Sequence, residues 1–324
     1  MDHVKRNIKA LVTLVTAFHI RAMPISLVPL VICLVVVPPA RHAAPQSDRI
    51  DSLRASIDRR VAEVKGAVVG VAFHDLVTGD SLFVNADDSF HAASTMKVPV
   101  MIELFRRVDA GALRLDQGIL LVNQFGSIVD GSPYSLNAGD DSDSLAYTKV
   151  GSRVSVRELI DRMITRSSNL ATNALIELAG APRANETAHT LGAKNIRVLR
   201  GVEDGKAFSA GLNNTTTARD LAVLMEAIET ERAASSASCA AMRDVLLRQE
   251  FNGEIPAGLP KGTKVAHKTG FITGVQHDAA IVYPAGRPPY VLVVLTRGIP
   301  EQPVARTLIA DISRLVYAHV MGSR

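Results

Sequence analysis

Apolar positions recur at helical spacing between Ser52 and Val64, at Leu53, Ile57, Val61 and Val64, and this predicts an amphipathic surface helix. Two strand-like runs follow, AVVGVAFHD at Ala67–Asp75 and SLFVN at Ser81–Asn85, joined by the turn signal Thr78-Gly79-Asp80. They read as a hairpin. The segment Phe90–Phe105 opens small and polar and then becomes an apolar run, so a helix is expected to begin near Ser94. From Asn123 to Val150 the chain is rich in Gly, Ser and Asp, with NAGDDSDS at Asn137–Ser144, and exposed loops are expected there. Helical periodicity returns at Val156, Leu159, Ile160, Met163 and Ile164, again in LATNALIELAG up to Gly180, and in ARDLAVLMEAI at Ala218–Ile228. The last third holds three strand-like runs, Val265–Gly270, His277–Tyr283 and Tyr290–Gly298, before a closing helix over Ala305–Val320. Strands at both ends with helices between predict an α/β (α+β) fold: one antiparallel sheet built from both termini, flanked by helices, with an all-helical subdomain inserted. No internal repeat is present.

Composition changes this picture only at the N-terminus. With 47% hydrophobic and 21% charged residues in 324, the chain is of ordinary globular type. In residues 1–44, Lys5, Arg6 and Lys9 precede an apolar stretch broken by Arg21, then a nearly uninterrupted run from Ile25 to Val37, then PPARHAAP. This reads as an export signal or a retained membrane anchor, followed by a single domain over residues 45–324. Cys33 follows Ile32, which does not support a lipid-anchoring box, and it leaves Cys239 as the one cysteine of the mature chain, expected to be buried and inert. Five of the 36 basic and one of the 32 acidic residues fall in the first 44, which leaves 31 of each. The mature chain is therefore formally neutral, and nucleic acid is not an expected partner.

Three short motifs carry candidate chemistry. Ser94 at the expected helix start has Lys97 one turn further along the same face, so the spacing would set a hydroxyl beside an amine. A desolvated lysine can serve as the base a serine nucleophile needs, and the unpaired N–H groups of a helix start can hold an oxyanion. The same pattern also fits an ordinary capped helix. Ser167-Ser168-Asn169 stands in a polar break between two periodic helices, where side chains could enter a cleft; its plainer reading is that Ser167 caps a helix. A second S-x-N, Ser135-Leu136-Asn137, lies in the loop-like region and lacks that rigid support. Lys268-Thr269-Gly270 falls on an expected strand, where a lysine and a threonine could grip a carboxylate and a glycine could let a substrate backbone lie close. The chain has only one S-x-x-K and one K-T-G. Its histidines, among them His74, His91, His267 and His277, show no H-x-x-x-H spacing, so neither metal nor other cofactor is expected.

Taken together and in this order, the motifs resemble those of the penicillin-recognising serine hydrolases, specifically the class A β-lactamase family, across most of Ala67–Val320. The resemblance implies Ser94 as acylated nucleophile, Lys97 as its proton acceptor or relay, and Ser167 as proton donor to the leaving nitrogen. It implies that Asn169 binds a substrate side-chain amide, that Lys268 and Thr269 hold a carboxylate beside Gly270, and that the N–H groups of Ser94 and Phe271 form an oxyanion hole. Three departures stand out: Ser168 replaces the middle Asp of S-D-N, the bulky Phe271 follows K-T-G, and the family's E-x-x-L-N pattern is not met. Glu203, 36 residues beyond Ser167, occupies the place of the family's deacylating base, but Ala207 stands where Asn is expected. Glu203 reads either as that base or as a solvated loop carboxylate. The expected activity is hydrolysis of β-lactams through an acyl-enzyme by an exported, periplasmic or secreted monomer that meets a membrane only through an uncleaved N-terminal segment. Should deacylation fail, the alternatives are a D-alanyl-D-alanine carboxypeptidase or penicillin-binding protein acting on D-alanyl peptides, or a sensor of β-lactams or peptidoglycan.

Overall fold

The computed structural model describes residues 46–322, so the export segment read in residues 1–44, Cys33 included, lies outside the described residues. Five strands form the main sheet: β1 (Val68–Asp75), β2 (Ser81–Val84), β3 (Lys264–Ile272), β4 (Val275–Tyr283) and β5 (Tyr290–Arg297). Their spatial order is β2-β1-β5-β4-β3, all antiparallel, and the junction of the two halves is the β1–β5 ladder, with Val68 opposite Arg297 and Asp75 opposite Tyr290. The sheet is thus completed by both ends of the domain, as the pattern of strands implied.

Side chains alternate across this sheet because successive strand residues face opposite ways. Val69, Val71 and Phe73 of β1, with Leu292 and Val294 of β5, pack on α1 (Gln46–Ala62) and α9 (Gln302–Met321) through Leu53, Ile57, Leu308, Ile312 and Val316. Ala72, Val291, Val293 and Leu295 face the other way, into a larger core shared with the helical subdomain. Both faces are covered, which explains why β5 reads as a continuous apolar run rather than an alternating one.

The inserted helices are α2 (Lys97–Asp109), α3 (Val156–Thr165), α4 (Asn169–Ala179), α5 (Ala181–Thr190), α6 (Gly205–Ser209), α7 (Ala218–Glu229) and α8 (Ser236–Leu247). Hydroxyls start several of them: Ser155 Oγ accepts the Glu158 N–H, Thr217 Oγ1 that of Asp220, and Ser235 Oγ that of Ser238. Helices α5, α6 and α8 were not expected from periodicity. In α5 the buried face includes only the small Ala184, Thr187 and Ala188, which gives no strong apolar stripe, whereas α8 buries Cys239, Met242, Val245 and Leu246 at helical spacing behind an Ala- and Ser-rich start.

The stretch 123–150 departs from the expectation of exposed loops. It contains a small hairpin, Phe125–Gly126 against Pro133–Tyr134, and a 3-10 turn at Ser144–Lys149. Leu136, Ala146, Asp141 and Asp143 are buried. The two carboxylates tolerate burial because each is paired: Asp143 takes Nη1 of Arg162 at 2.8 Å, and Asp141 takes backbone N–H groups of α4. Cys239 is buried, as expected.

Candidate active site

The nucleophile candidate does not sit on the α-helix itself. Ser94 lies in a 3-10 turn, Ala93–Met96, that feeds directly into α2, and Lys97 is the first residue of that helix. The turn is entered through Ala93 at φ 46°, a conformation rarely adopted by non-glycine residues, with the Ala93 N–H donated to His91 Nδ1 at 3.0 Å. Across it runs β3. A Cβ on Gly270 would stand 3.0 Å from the backbone nitrogens of both Ser94 and Thr95, so only glycine lets the strand approach the turn this closely. The Ser94 N–H and the strand leading into Phe271, the two expected oxyanion donors, therefore belong to elements in direct contact.

Ser167 to Asn169 form the joint between α3 and α4. Ser167 has φ 57°, and it is Ser168, not Ser167, that caps α4, accepting the Ala171 N–H at 3.3 Å. That frees Ser167 Oγ for the site, where it accepts from Lys97 Nζ at 3.0 Å and from Lys268 Nζ at 3.1 Å. Lys97 also donates to the Ser167 carbonyl at 2.7 Å and to Asn169 Oδ1 at 3.1 Å. All three donors of Lys97 are thus spent on the joint, and no hydrogen bond links Lys97 to Ser94, which corrects the expectation of a directly paired hydroxyl and amine. Three acceptors on one rigid joint outcompete a single neutral hydroxyl.

Both lysines are fully buried. Loss of hydration, followed by the nearby Lys268 charge, holds Lys97 well below the ordinary lysine range, against the opposing pull of Asp141 and Glu203. Burial brings Lys268 down to about 7, with Asp278 and Glu254 resisting. Two ammonium groups meeting at one hydroxyl favour a neutral partner, so the arrangement can accept and pass a proton.

Glu203 is brought into the same place. Its Oε1 accepts from Asn169 Nδ2 at 2.6 Å, and desolvation pushes its pKa up, with Asp141 and Asp140 adding to the rise and the Asn169 bond opposing it. Glu203 is exposed, yet its carboxylate is hydrogen-bonded to the joint that also holds Lys97. Ala207, four residues on, is fully buried and offers no side-chain polar group, so the missing Asn of the pattern is not made good at that position. The rival triplet stays apart: Asn137 bonds Asp140 and the Gly139 N–H within its own loop.

Asp141 was the residue missed. One of its oxygens accepts the N–H groups of Asn169 (2.9 Å) and Leu170 (3.0 Å) and the Tyr147 hydroxyl (3.1 Å), so a carboxylate from the preceding loop supports the joint where Ser168 supplies none. Nothing local distinguishes it within the run Asp140-Asp141-Ser142-Asp143. A cleft of about 800 Å³ opens over the assembly, lined by Ser94, Ser167, Asn169, Glu203 and the exposed rings of Phe208 and Phe271, with Lys97, Lys268 and Thr269 buried beneath. Among the described residues no group of His, Cys, Asp and Glu is placed to hold a metal.

Comparison with known proteins agrees with this geometry. Residues 52–320 match the model of the beta-lactamase enzyme family. Beta-lactamase AST-1 of Nocardia asteroides is 29% identical over 280 residues, covering 84% of this chain and 86% of its own. A PBP-A variant, solved as an acyl-enzyme complex with penicillin G, is 31% identical with a TM-score of 0.73, over 84% of this chain and 97% of its own. An ancestral class A beta-lactamase is 28% identical with a TM-score of 0.70, over 83% and 99%.

Proposed function

The chain belongs to the beta-lactamase enzyme family, and on that premise we propose that its cleft hydrolyses β-lactams through an acyl-enzyme on Ser94. It is a serine hydrolase of the class A kind. Ser94 Oγ attacks the lactam carbonyl while Lys97, kept from holding its proton tightly by burial and by Lys268, serves as proton acceptor or relay. The oxyanion is received by the N–H groups of Ser94 and Phe271. Ser167 Oγ, bridged between the two lysines, passes a proton to the departing nitrogen. Lys268 and Thr269 hold the substrate carboxylate, and Asn169 holds its side-chain amide. Glu203 then activates the water that releases the product, its raised pKa suiting a carboxylate that must take a proton near neutrality.

The observation that carries this reading is the Asn169–Glu203 contact of 2.6 Å, which puts a carboxylate at the joint that also binds Lys97. It favours turnover over a lasting adduct, and so over the peptidase or sensor. In the cell the reading extends to an enzyme exported by residues 1–44 to the periplasm or medium, acting there as a monomer in antibiotic resistance. The test is intact-protein mass spectrometry with excess benzylpenicillin while free drug is followed. A transient adduct, with drug consumed far beyond one equivalent, is expected for the native chain. Ser94→Ala should show no adduct, and Glu203→Gln should trap one. Labelling that survives Ser94→Ala would remove the nucleophile.

A further inference from the structure

Glu203 has φ 62°, a strained conformation for a residue with a side chain, and such a residue stays there only if its neighbours are fixed. Both are. On the N-terminal side the Val202 N–H donates to Asn173 Oδ1 at 2.7 Å, and the Val202 carbonyl accepts from Asn173 Nδ2 at 3.0 Å and from the Tyr134 hydroxyl at 3.3 Å. Gly201 makes that seat possible, since a Cβ there would fall 2.5 Å from Asn173 Oδ1. On the C-terminal side Asp204 is buried, and its oxygens are committed: Oδ1 accepts from Ser127 Oγ at 2.9 Å and the Ala207 N–H at 3.0 Å, Oδ2 from the Ile128 N–H at 2.9 Å. Lys206 adds contacts to Asp130 (2.8 Å) and Ser132 (2.7 Å), but these are exposed and contribute little.

We propose that Asp204 and the hairpin of residues 125–134 are positioning elements for hydrolysis of the acyl-enzyme, holding the Glu203 backbone in the one conformation that directs its carboxylate to Asn169. This rests on Glu203 acting in deacylation, as proposed above. Tyr134 and the pair Ser127 and Ile128 grip the loop one residue to either side of Glu203, so the hairpin works as a clamp. None of its hydrogen bonds reaches Ser94, Lys97 or Ser167, whose geometry is set by α2, the α3–α4 joint and β3. Loosening the clamp therefore lets Glu203 relax toward negative φ and turn away from Asn169, while acylation machinery stays in place. The separation is a consequence of chain topology: nucleophile and base are carried by different elements with different supports.

The test is rapid-mixing kinetics on the native chain with benzylpenicillin, separating acylation from deacylation, with the acyl-enzyme fraction read by mass spectrometry. Asp204→Asn replaces an acceptor by an N–H₂ group facing the hairpin donors, and deacylation should slow by about tenfold or more, because small misplacement of a catalytic group is costly. Acylation should stay within about twofold of the native rate on the same reasoning. Ser127→Ala, losing one hydrogen bond, should slow deacylation by about threefold, and Ser127→Thr should restore it. A merely structural role would lower both steps through the folded fraction and leave their ratio unchanged; that result overturns the proposal. If Glu203→Gln traps the adduct but folded Asp204→Asn and Ser127→Ala deacylate at the native rate, the clamp is refuted and the base survives. If Glu203→Gln deacylates normally, the base fails and the clamp with it.

Discussion

Asp141→Ala tests whether the joint bearing Ser167 and Asn169 depends on a carboxylate supplied from outside it. The substitution leaves the N–H groups of Asn169 and Leu170, now bonded to Asp141 at 2.9 and 3.0 Å, without an acceptor at the start of α4. Ser168 still caps α4, but satisfying an N–H at a helix start contributes about 1 kcal/mol, and a hydrogen bond to a charged acceptor about 1.5–3 kcal/mol. The Tyr147 hydroxyl is half-exposed and can turn to water, so its loss adds little. Partial entry of water into the vacated space offsets some of the total, which leaves a destabilisation of roughly 3 kcal/mol. For a domain of this size that corresponds to a fall in melting temperature of about 5 °C. The same change should slow acylation of Ser94, because Asn169 Oδ1 and both oxygens of Ser167 orient Lys97. Thermal unfolding by calorimetry and the acylation rate with benzylpenicillin are the two readouts. Asp141→Asn, which keeps an acceptor but no charge, should fall between. A melting temperature within about 1 °C of the native chain would refute the reasoning, as would an unaltered acylation rate.

Lys268 titrates near 7 in the free protein because it is buried, so its charge is lost as pH rises through that value. In pH-rate profiles kcat/KM for a carboxylate-bearing penicillin should decline on the alkaline side, and Lys268→Arg, which cannot deprotonate, should flatten that limb. Stability runs in the opposite sense: between about 7 and 10.5 the unfolded chain holds a proton that the native lysine has lost, so this group's contribution to stability grows as pH rises. Glu203, its pKa raised by desolvation, should place the acid limb of kcat in the native enzyme above the ordinary carboxylate range, and a limb within that range would remove Glu203 as its source. Gly270→Ala would bring a methyl group to 3.0 Å from the Ser94 and Thr95 nitrogens. Acylation should fall by about tenfold or more, since the turn must shift away from the strand, and this is measurable from the rate of adduct formation.

Much of the fold was legible because periodicity is a local signal. The main hairpin, the strand run after Lys264, the closing helix and the helices around Ser167 all announce themselves by spacing, and their order alone implied a sheet shared by the two ends of the domain. The S-x-x-K turn and the K-T-G strand were likewise visible as short motifs, and of the two S-x-N triplets it is Ser167 that meets Lys97 and Lys268. Tertiary structure decided what depends on partners far away in the chain. Asp141 and Asp143 look like solvated loop residues until the N–H groups of α4 and Arg162 come to meet them. Lys97 was expected beside Ser94, yet its hydrogen bonds go 70 and 72 residues along the chain. Glu203 could be read as a base or as a solvated carboxylate, and only the fold brings this exposed group within reach of Asn169. Sequence fixes which groups can exist and on what local element; which of them is buried, paired and tuned is settled by long-range contacts, because charge and hydration respond to surroundings and not to neighbours in the chain.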